Sequence, residues 1–308
     1  MRNPFTALSK RARANRANER GRELDRQGLE AEAIAAYEHA SNLDPRWSVP
    51  LYNLGLIYKY RRDWELSLRQ NQRAVELDAS DVAACWNLGI AATALSRWAV
   101  ARSAWRAAGV SIPDGEGPID YPCGRTPVRL NPTTKGEVVW SRRLDPARAT
   151  IESIPLPQSG FRYGDIVLND GAAKGYRMLG EQEVPVFDCL DLLSPSSFST
   201  HVAQVALGEE GSEPPSPIDL LVELAVERRL AAEDWSTSFQ ILCKACSEGR
   251  PHAGHEHEHE HREVNGPHRI AIAAVQEEQA RALLDEWLPR SGGARLISFE
   301  VALSAARS

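Results

Sequence analysis

The chain of 308 residues is poor in several things, and each shortage closes off a class of protein. No apolar run approaches the ~20 residues needed to cross a bilayer. The first residues offer no signal-peptide core, because after Phe5 and Leu8 the chain turns polar and arginine-rich. Cysteine is scarce: Cys85, Cys123, Cys189, Cys243 and Cys246 are odd in number and mostly scattered, which does not make a disulfide framework. A reduced, cytoplasmic protein is the expectation. Positive charge is also short. The formal net charge of −6 argues against a broad nucleic-acid surface and against a nucleic-acid partner. One local exception is the first segment, where Arg2, Lys10, Arg11, Arg13, Arg16, Arg20, Arg22 and Arg26 face only Glu19, Glu23 and Asp25. Residues 1–13 read as a basic arm leading into a solvated helix. Catalytic motifs are missing too: there is no glycine-rich phosphate loop, no nucleophile elbow and no His-x-x-x-His pair. His39, His201 and His268 are isolated, so an enzyme is not expected.

What is present is ordinary in bulk and distinctive in order. A hydrophobic content of 43% with 25% charged residues suits a folding chain of two or three domains. Tyr52-Asn53-Leu54-Gly55 recurs as Trp86-Asn87-Leu88-Gly89 after 34 residues, Trp64 recurs as Trp98, and the same step back from Gly55 lands on Gly21. Small residues recur in the same frame at Ala33, Ser67 and Ala101, and at Ala40, Ala74 and Ala108. Between them stand Tyr37, Asn71 and Trp105, and the closing positions are Pro45, Ala79 and Pro113.

On these residues the segment 14–115 resembles the tetratricopeptide repeat (TPR) family, with three registered copies. Arg20 in place of the usual leucine, and Asn71 in place of an aromatic, depart from its pattern. The resemblance implies antiparallel helix pairs stacked into a solenoid with a concave groove. It places Asn18, Arg22, Tyr52, Asn53, Leu56, Lys59, Tyr60, Trp86, Asn87 and Ile90 along that groove, with Asn53 and Asn87 bonding a ligand's backbone and Tyr52 and Trp86 anchoring it. A protein or peptide partner follows, unless the rest of the chain fills the groove itself. Ala83 and Asn87 stand where the family's chaperone-tail receptors need basic residues, so a chaperone tail is not the expected ligand.

After Pro113 the helical pattern stops at Asp114-Gly115-Glu116-Gly117-Pro118, and prolines recur at Pro122, Pro127 and Pro132. Without a polar capping helix, this segment is expected to fold back over the third repeat. Within 116–194, strands are predicted at Glu137 to Leu144, Arg148 to Ile154, Gly164 to Leu168, Tyr176 to Leu179 and Glu183 to Phe187. Asn169-Asp170-Gly171 and Lys174-Gly175 serve as turns between them. Five short strands suggest a small β-barrel-like region.

Residues 195–308 read as strand, helix, strand, strand, helix, strand: Phe198 to Leu207, the stripe Ile218/Leu221/Val222/Ala225, Thr237 to Cys243, Arg269 to Val275, the stripe Ala280/Leu283/Leu284/Trp287/Leu288, and Ile297 to Leu303. That order is a ferredoxin-like split βαβ arrangement. Its third strand lacks the aromatics of RNA-binding versions. An insertion at 243–268 carries Cys243-Lys-Ala-Cys246, His252, His255 and a His/Glu run to His261. Cys243, Cys246, His252 and His255 can hold a tetrahedral zinc if the chain turns at Lys244. The rival is two half-buried cysteines beside a low-complexity loop that takes up metal weakly. The chain as a whole reads as a multidomain α plus α+β adaptor with a structural zinc, the alternative being a metal-handling protein working through the Cys/His loop.

Overall fold

The computed structural model describes residues 4–134, 136–208, 215–236 and 266–305. Two compact units emerge: Met1–Tyr121 with Asp145–Ala147, and Pro122–Leu144 with Arg148–Ser308.

The first unit holds six helices: α1 (Pro4–Arg26), α2 (Glu30–Leu43), α3 (Ser48–Tyr60), α4 (Trp64–Leu77), α5 (Val82–Ala94) and α6 (Trp98–Ala107). The basic arm is thus the first turns of α1. The helices pack as consecutive pairs, and each pair packs on the next. The 34-residue period shows in the backbone itself. The turn inside each pair passes through a left-handed residue at Gly28, Arg62 and Ser96, with φ of 74°, 62° and 56°. At the same period, the N–H of Leu29, Asp63 and Arg97 donates to the carbonyl of Leu24, Tyr58 and Ala92. Only the first of these turns uses glycine, so the other two accept left-handed strain in a side-chain-bearing residue.

Inside each pair, the glycine of the first helix lets an aromatic of the second lie against its backbone. A Cβ on Gly21 would sit 2.6 Å from the Tyr37 ring, and one on Gly89 would sit 2.7 Å from the Trp105 indole. Between pairs, Leu24, Tyr37, Leu54 and Ile57 form one apolar cluster, and Leu51, Ala74 and Ala84 form the next. Arg16 and Arg20 of α1 correspond by period to Pro50 and Leu54 of α3 and to Ala84 and Leu88 of α5. Those four are buried, Leu54 and Ala84 in clusters with residues of the preceding pair, while both arginines are exposed. The first repeat has polar residues on the face that later repeats use for stacking, as a solenoid terminus requires.

Past α6 the chain folds back on the last repeat. The buried Arg102 guanidinium donates to the carbonyls of Pro113 (3.2 Å), Gly117 (2.7 Å) and Pro118 (3.4 Å), and Arg106 donates to Ile112 and to Asp114.

The second unit begins with five strands: β1 (Arg125–Leu130), β2 (Glu137–Arg143), β3 (Arg148–Ile151), β4 (Ile166–Leu179) and β5 (Gln182–Ser194). They pair in sequence order and close into a barrel through a parallel contact of Val128 and Arg129 with Phe187 and Asp188. Val128, Leu130, Val139, Ala149, Ile151, Val167 and Cys189 fill the interior. Two expectations need correcting here. β1 contains Pro127, although the prolines around it read as a break. Pro127 pairs with Trp140 in register, and the β1–β5 backbone pairing runs over Val128 and Arg129, so its missing N–H costs no ladder bond to β5. The hydroxyl of Thr126 donates to the Pro185 carbonyl instead. The second correction concerns Asn169-Asp170-Gly171 and Lys174-Gly175, which are irregularities inside the single strand β4 and not turns. Asn169 and Asp170 are buried. Asn169 donates to the Asp170 carbonyl, and the Asp170 carboxylate accepts from the N–H of Gly171 at 2.7 Å, so local bonds stabilise the bulge.

The described residues of the rest of the unit form a four-stranded antiparallel sheet with two helices: β6 (Ser199–Ala206), α7 (Pro217–Glu227), β7 (Ala231–Asp234), β8 (His268–Ala274), α8 (Glu277–Trp287) and β9 (Arg295–Leu303). The strand order is β7-β8-β6-β9. The strand expected at Thr237 to Cys243 lies outside the described residues; ahead of it runs β7, which pairs Ala231 with Ala273 and Asp234 with Ile270. β7 leaves no sign in the sequence because Ala231-Ala232-Glu233-Asp234 lacks β-branched residues. Leu221, Leu224, Ala225, Ile270, Ile272, Leu283, Leu284 and Trp287 make the core between helices and sheet. On the opposite face, Val202, Ala271 and Ala273 share a cluster with Ile154 and Leu156 of the barrel. The Trp235 indole N–H donates to the Ile154 carbonyl at 3.1 Å, and Arg162 donates to the Ser304 carbonyl, tying barrel and sheet together.

Candidate functional site

The candidate groove is built from the first helix of each pair. Its polar residues bond one another across repeats. The Asn53 amide donates to Asn18 Oδ1 at 2.9 Å, joining α3 to α1. Lys59 Nζ donates to Asn87 Oδ1 at 3.0 Å, joining α3 to α5. Asn18, Lys59 and Asn87 are 2%, 3% and 5% exposed, so these three are held inside the array and are not displayed. Asn53, Tyr52, Leu56 and Trp86 are half-buried, and Arg22 and Tyr60 are exposed. Arg22 pairs with Glu19 one turn earlier. Lys59 Nζ also lies 4.6 Å from the centre of the Tyr60 ring.

Trp86 is braced from behind. Its ring meets Trp105 edge to face, with centres 5.0 Å apart, and Trp105 is fully buried against Gly89. A large aromatic held rigid by a second one loses little freedom on contact with a ligand, which is what an anchor needs. Ile90, expected on the groove, is buried.

The cross-repeat pairs were missing from the sequence reading, though a signal existed. Asn18 and Asn53 are 35 residues apart, one more than the period, so adjacent first helices bring them level. Nothing comparable marks Lys59 and Asn87, 28 residues apart, whose meeting depends on how α3 and α5 cross.

Cys243, Cys246, His252 and His255 lie outside the described residues, as do His257, His259 and His261. Among the described residues no group of three or more His, Cys, Asp or Glu side chains is placed to hold a metal ion. Cys85 is a buried free thiol, and burial pushes its pKa up. No helix among the described residues is long and apolar enough to cross a membrane.

The N-terminal third of the chain matches TPR-domain structures. The second TPR of Spaghetti (RPAP3), bound to the HSP90 peptide SRMEEVD, is 21% identical, with 34% of this chain and 90% of that one covered and a TM-score of 0.32. The first TPR of the same protein, also bound to that peptide, is 25% identical over 32% of this chain and 77% of that one, with a TM-score of 0.30. The Arabidopsis OM64 TPR domain is 18% identical over 32% and 82%, again with a TM-score of 0.30. No protein-family model matches the chain, and no curated protein is significantly similar to it.

Proposed function

We propose that this chain is a non-catalytic adaptor that binds a peptide or protein segment along the first helices of its repeats. Trp86 carries the reading: it is half-buried, partly open to solvent, and fixed from behind by a fully buried tryptophan. In this reading Tyr52, Asn53, Leu56 and Trp86 touch the ligand, Arg22 and Tyr60 border it, and Asn18, Lys59 and Asn87 hold the helices in register beneath. The strand order and antiparallel pairing of β6 to β9, with a helix in each crossover, support a ferredoxin-like reading of the C-terminal sheet. A zinc ion on Cys243, Cys246, His252 and His255 is proposed from residue spacing alone.

Display selection of peptides on the full chain tests the groove. Selected peptides should bind the wild type and lose affinity about tenfold or more with Trp86→Ala, the cost of removing an interface anchor. Tyr52→Ala should weaken them as well, while Tyr176→Ala, at an exposed position in the second unit, should not. Selected peptides that bind wild type and Trp86→Ala equally, with helical content unchanged, would show that the ligand site is elsewhere.

A further inference from the structure

Among the described residues β9 is an edge of the four-stranded sheet and pairs with β6 on one side only. The other side of such a strand presents a row of backbone N–H and C=O groups ready to pair with another chain. Its apolar side chains are open: Leu296, Ile297 and Val301 are 39%, 54% and 42% exposed. Phe299, at the midpoint of Arg295–Leu303, is fixed. His201 stacks on its ring at 5.7 Å between centres, and the Arg281 guanidinium lies 4.5 Å from the ring centre. Register shifts opposite Thr200/His201 and Gln204/Val205 place a bulge towards each end of β9 and leave Ser298 to Val301 as its regular stretch. Bulges protect an edge against indiscriminate pairing, so a partner strand must fit this short stretch.

We propose that a second copy of this chain fits it, adding its own β9 antiparallel across a two-fold axis at Phe299. Residues directly opposite in an antiparallel ladder lie on one face, so the axis of a symmetric pair falls on a residue that faces itself. An axis at Glu300 opposes two carboxylates. An axis at Ser298 sets Glu300 against Leu296 and Arg295 against Val301. An axis at Phe299 opposes the two fixed aromatic rings, sets Ile297 against Val301, and lets the Ser298 hydroxyl donate to the Glu300 carboxylate of the second copy. From Leu296 to Ala302 each side chain then meets a compatible one, and by symmetry each off-axis contact occurs twice.

Sedimentation velocity of the full chain over a wide range of concentration tests the proposal. The wild type should reach twice the chain mass and go no further. Ser298→Glu opposes like charges twice in each dimer and should raise the dimer dissociation constant about tenfold. Ser298→Lys should lower it, and Ser298→Glu combined with Glu300→Lys should restore pairing. Ser298 and Glu300 are exposed, and unchanged circular dichroism keeps the comparison about association. A wild type that stays monomeric overturns the interface, as do species that grow past the dimer. Equal effects of Ser298→Glu and Ser298→Lys, or a double variant without recovery, overturn the register.

Discussion

Gly89→Ala is the sharpest probe of how the repeats are held together. An added methyl would sit 2.7 Å from the Trp105 indole, where ordinary contact begins at 3.4 Å, so the ring or the helix must shift by about 0.7 Å. Trp105 is fully buried, with the Trp86 ring against it, and has no open space to move into. Overpacking of this kind costs about 1–3 kcal/mol. Alanine gains about 1 kcal/mol over glycine in helix propensity, which offsets no more than the low end of that cost. The net loss should be up to about 2 kcal/mol, read as a lower urea midpoint in helical circular dichroism with a matching change in tryptophan emission. A double-mutant cycle isolates the contact. Trp105→Leu alone should cost several kcal/mol through the cavity it leaves, but in its background Gly89→Ala should be neutral or stabilising, because the collision is gone and the propensity gain remains. If Gly89→Ala raises the midpoint in the wild-type background, or if the two changes are additive, the interlock of glycine and aromatic is not what holds the pair.

Other expectations test different parts of the chain. Arg102→Ala should destabilise the last repeat by about 1.5–3 kcal/mol, because three carbonyls lose a charged donor; hydrogen exchange in α6 should rise accordingly. Burial raises the Glu137 carboxyl from 4.5 to about 7. A carboxyl whose folded pKa is raised favours folding while protonated, so its contribution is full below 4.5 and is lost as pH rises to about 7. Wild type should therefore lose on the order of 3 kcal/mol relative to Glu137→Gln across that window, and parallel stability curves for the two would refute it. Untagged protein dialysed against a mild chelator should keep about one zinc per chain if the Cys/His site is closed. Cys243→Ser with Cys246→Ser should release that zinc, whereas alanine at His257, His259 and His261 should not.

The helical third was legible because its signal repeats. Glycine and aromatic positions spaced by 34 residues fix both the pairing inside a repeat and the stacking between repeats, and Gly21, Gly55 and Gly89 all lie where the sequence puts them. The β part was less legible for physical reasons. Pro127 and Asn169-Asp170-Gly171 carry strong local turn chemistry, yet tertiary pairing absorbs both, one next to a position without a β5 partner and the other in a bulge with its own side-chain bonds. Ala231–Asp234 has weak strand propensity and is made a strand by its neighbour β8. In the groove the residue types were legible but not their partners, since a bond such as Lys59 to Asn87 depends on how two helices cross.

The two departures from the repeat pattern have opposite physical meanings. Arg20 replaces a residue that is buried as Leu54 and Leu88 in later repeats, but in α1 that face is exposed, so a charge there costs nothing and keeps the end of the solenoid wet. Asn71 replaces a residue that is Tyr37 or Trp105 in the other repeats, and it is fully buried. Its amide donates to the Ser67 carbonyl, while the Ser67 hydroxyl donates to the carbonyl of Gly55, the glycine against which Asn71 packs. The middle repeat thus substitutes hydrogen bonds for aromatic area. Asn71 Oδ1 has no bond partner among the described residues, and a buried acceptor left unmade costs about 1–3 kcal/mol. The central pair is therefore the least strongly interlocked of the three, and it is the pair that supplies Tyr52, Asn53 and Leu56 to the proposed groove. A ligand lying across α3 can strengthen the array most where its own interlock is weakest.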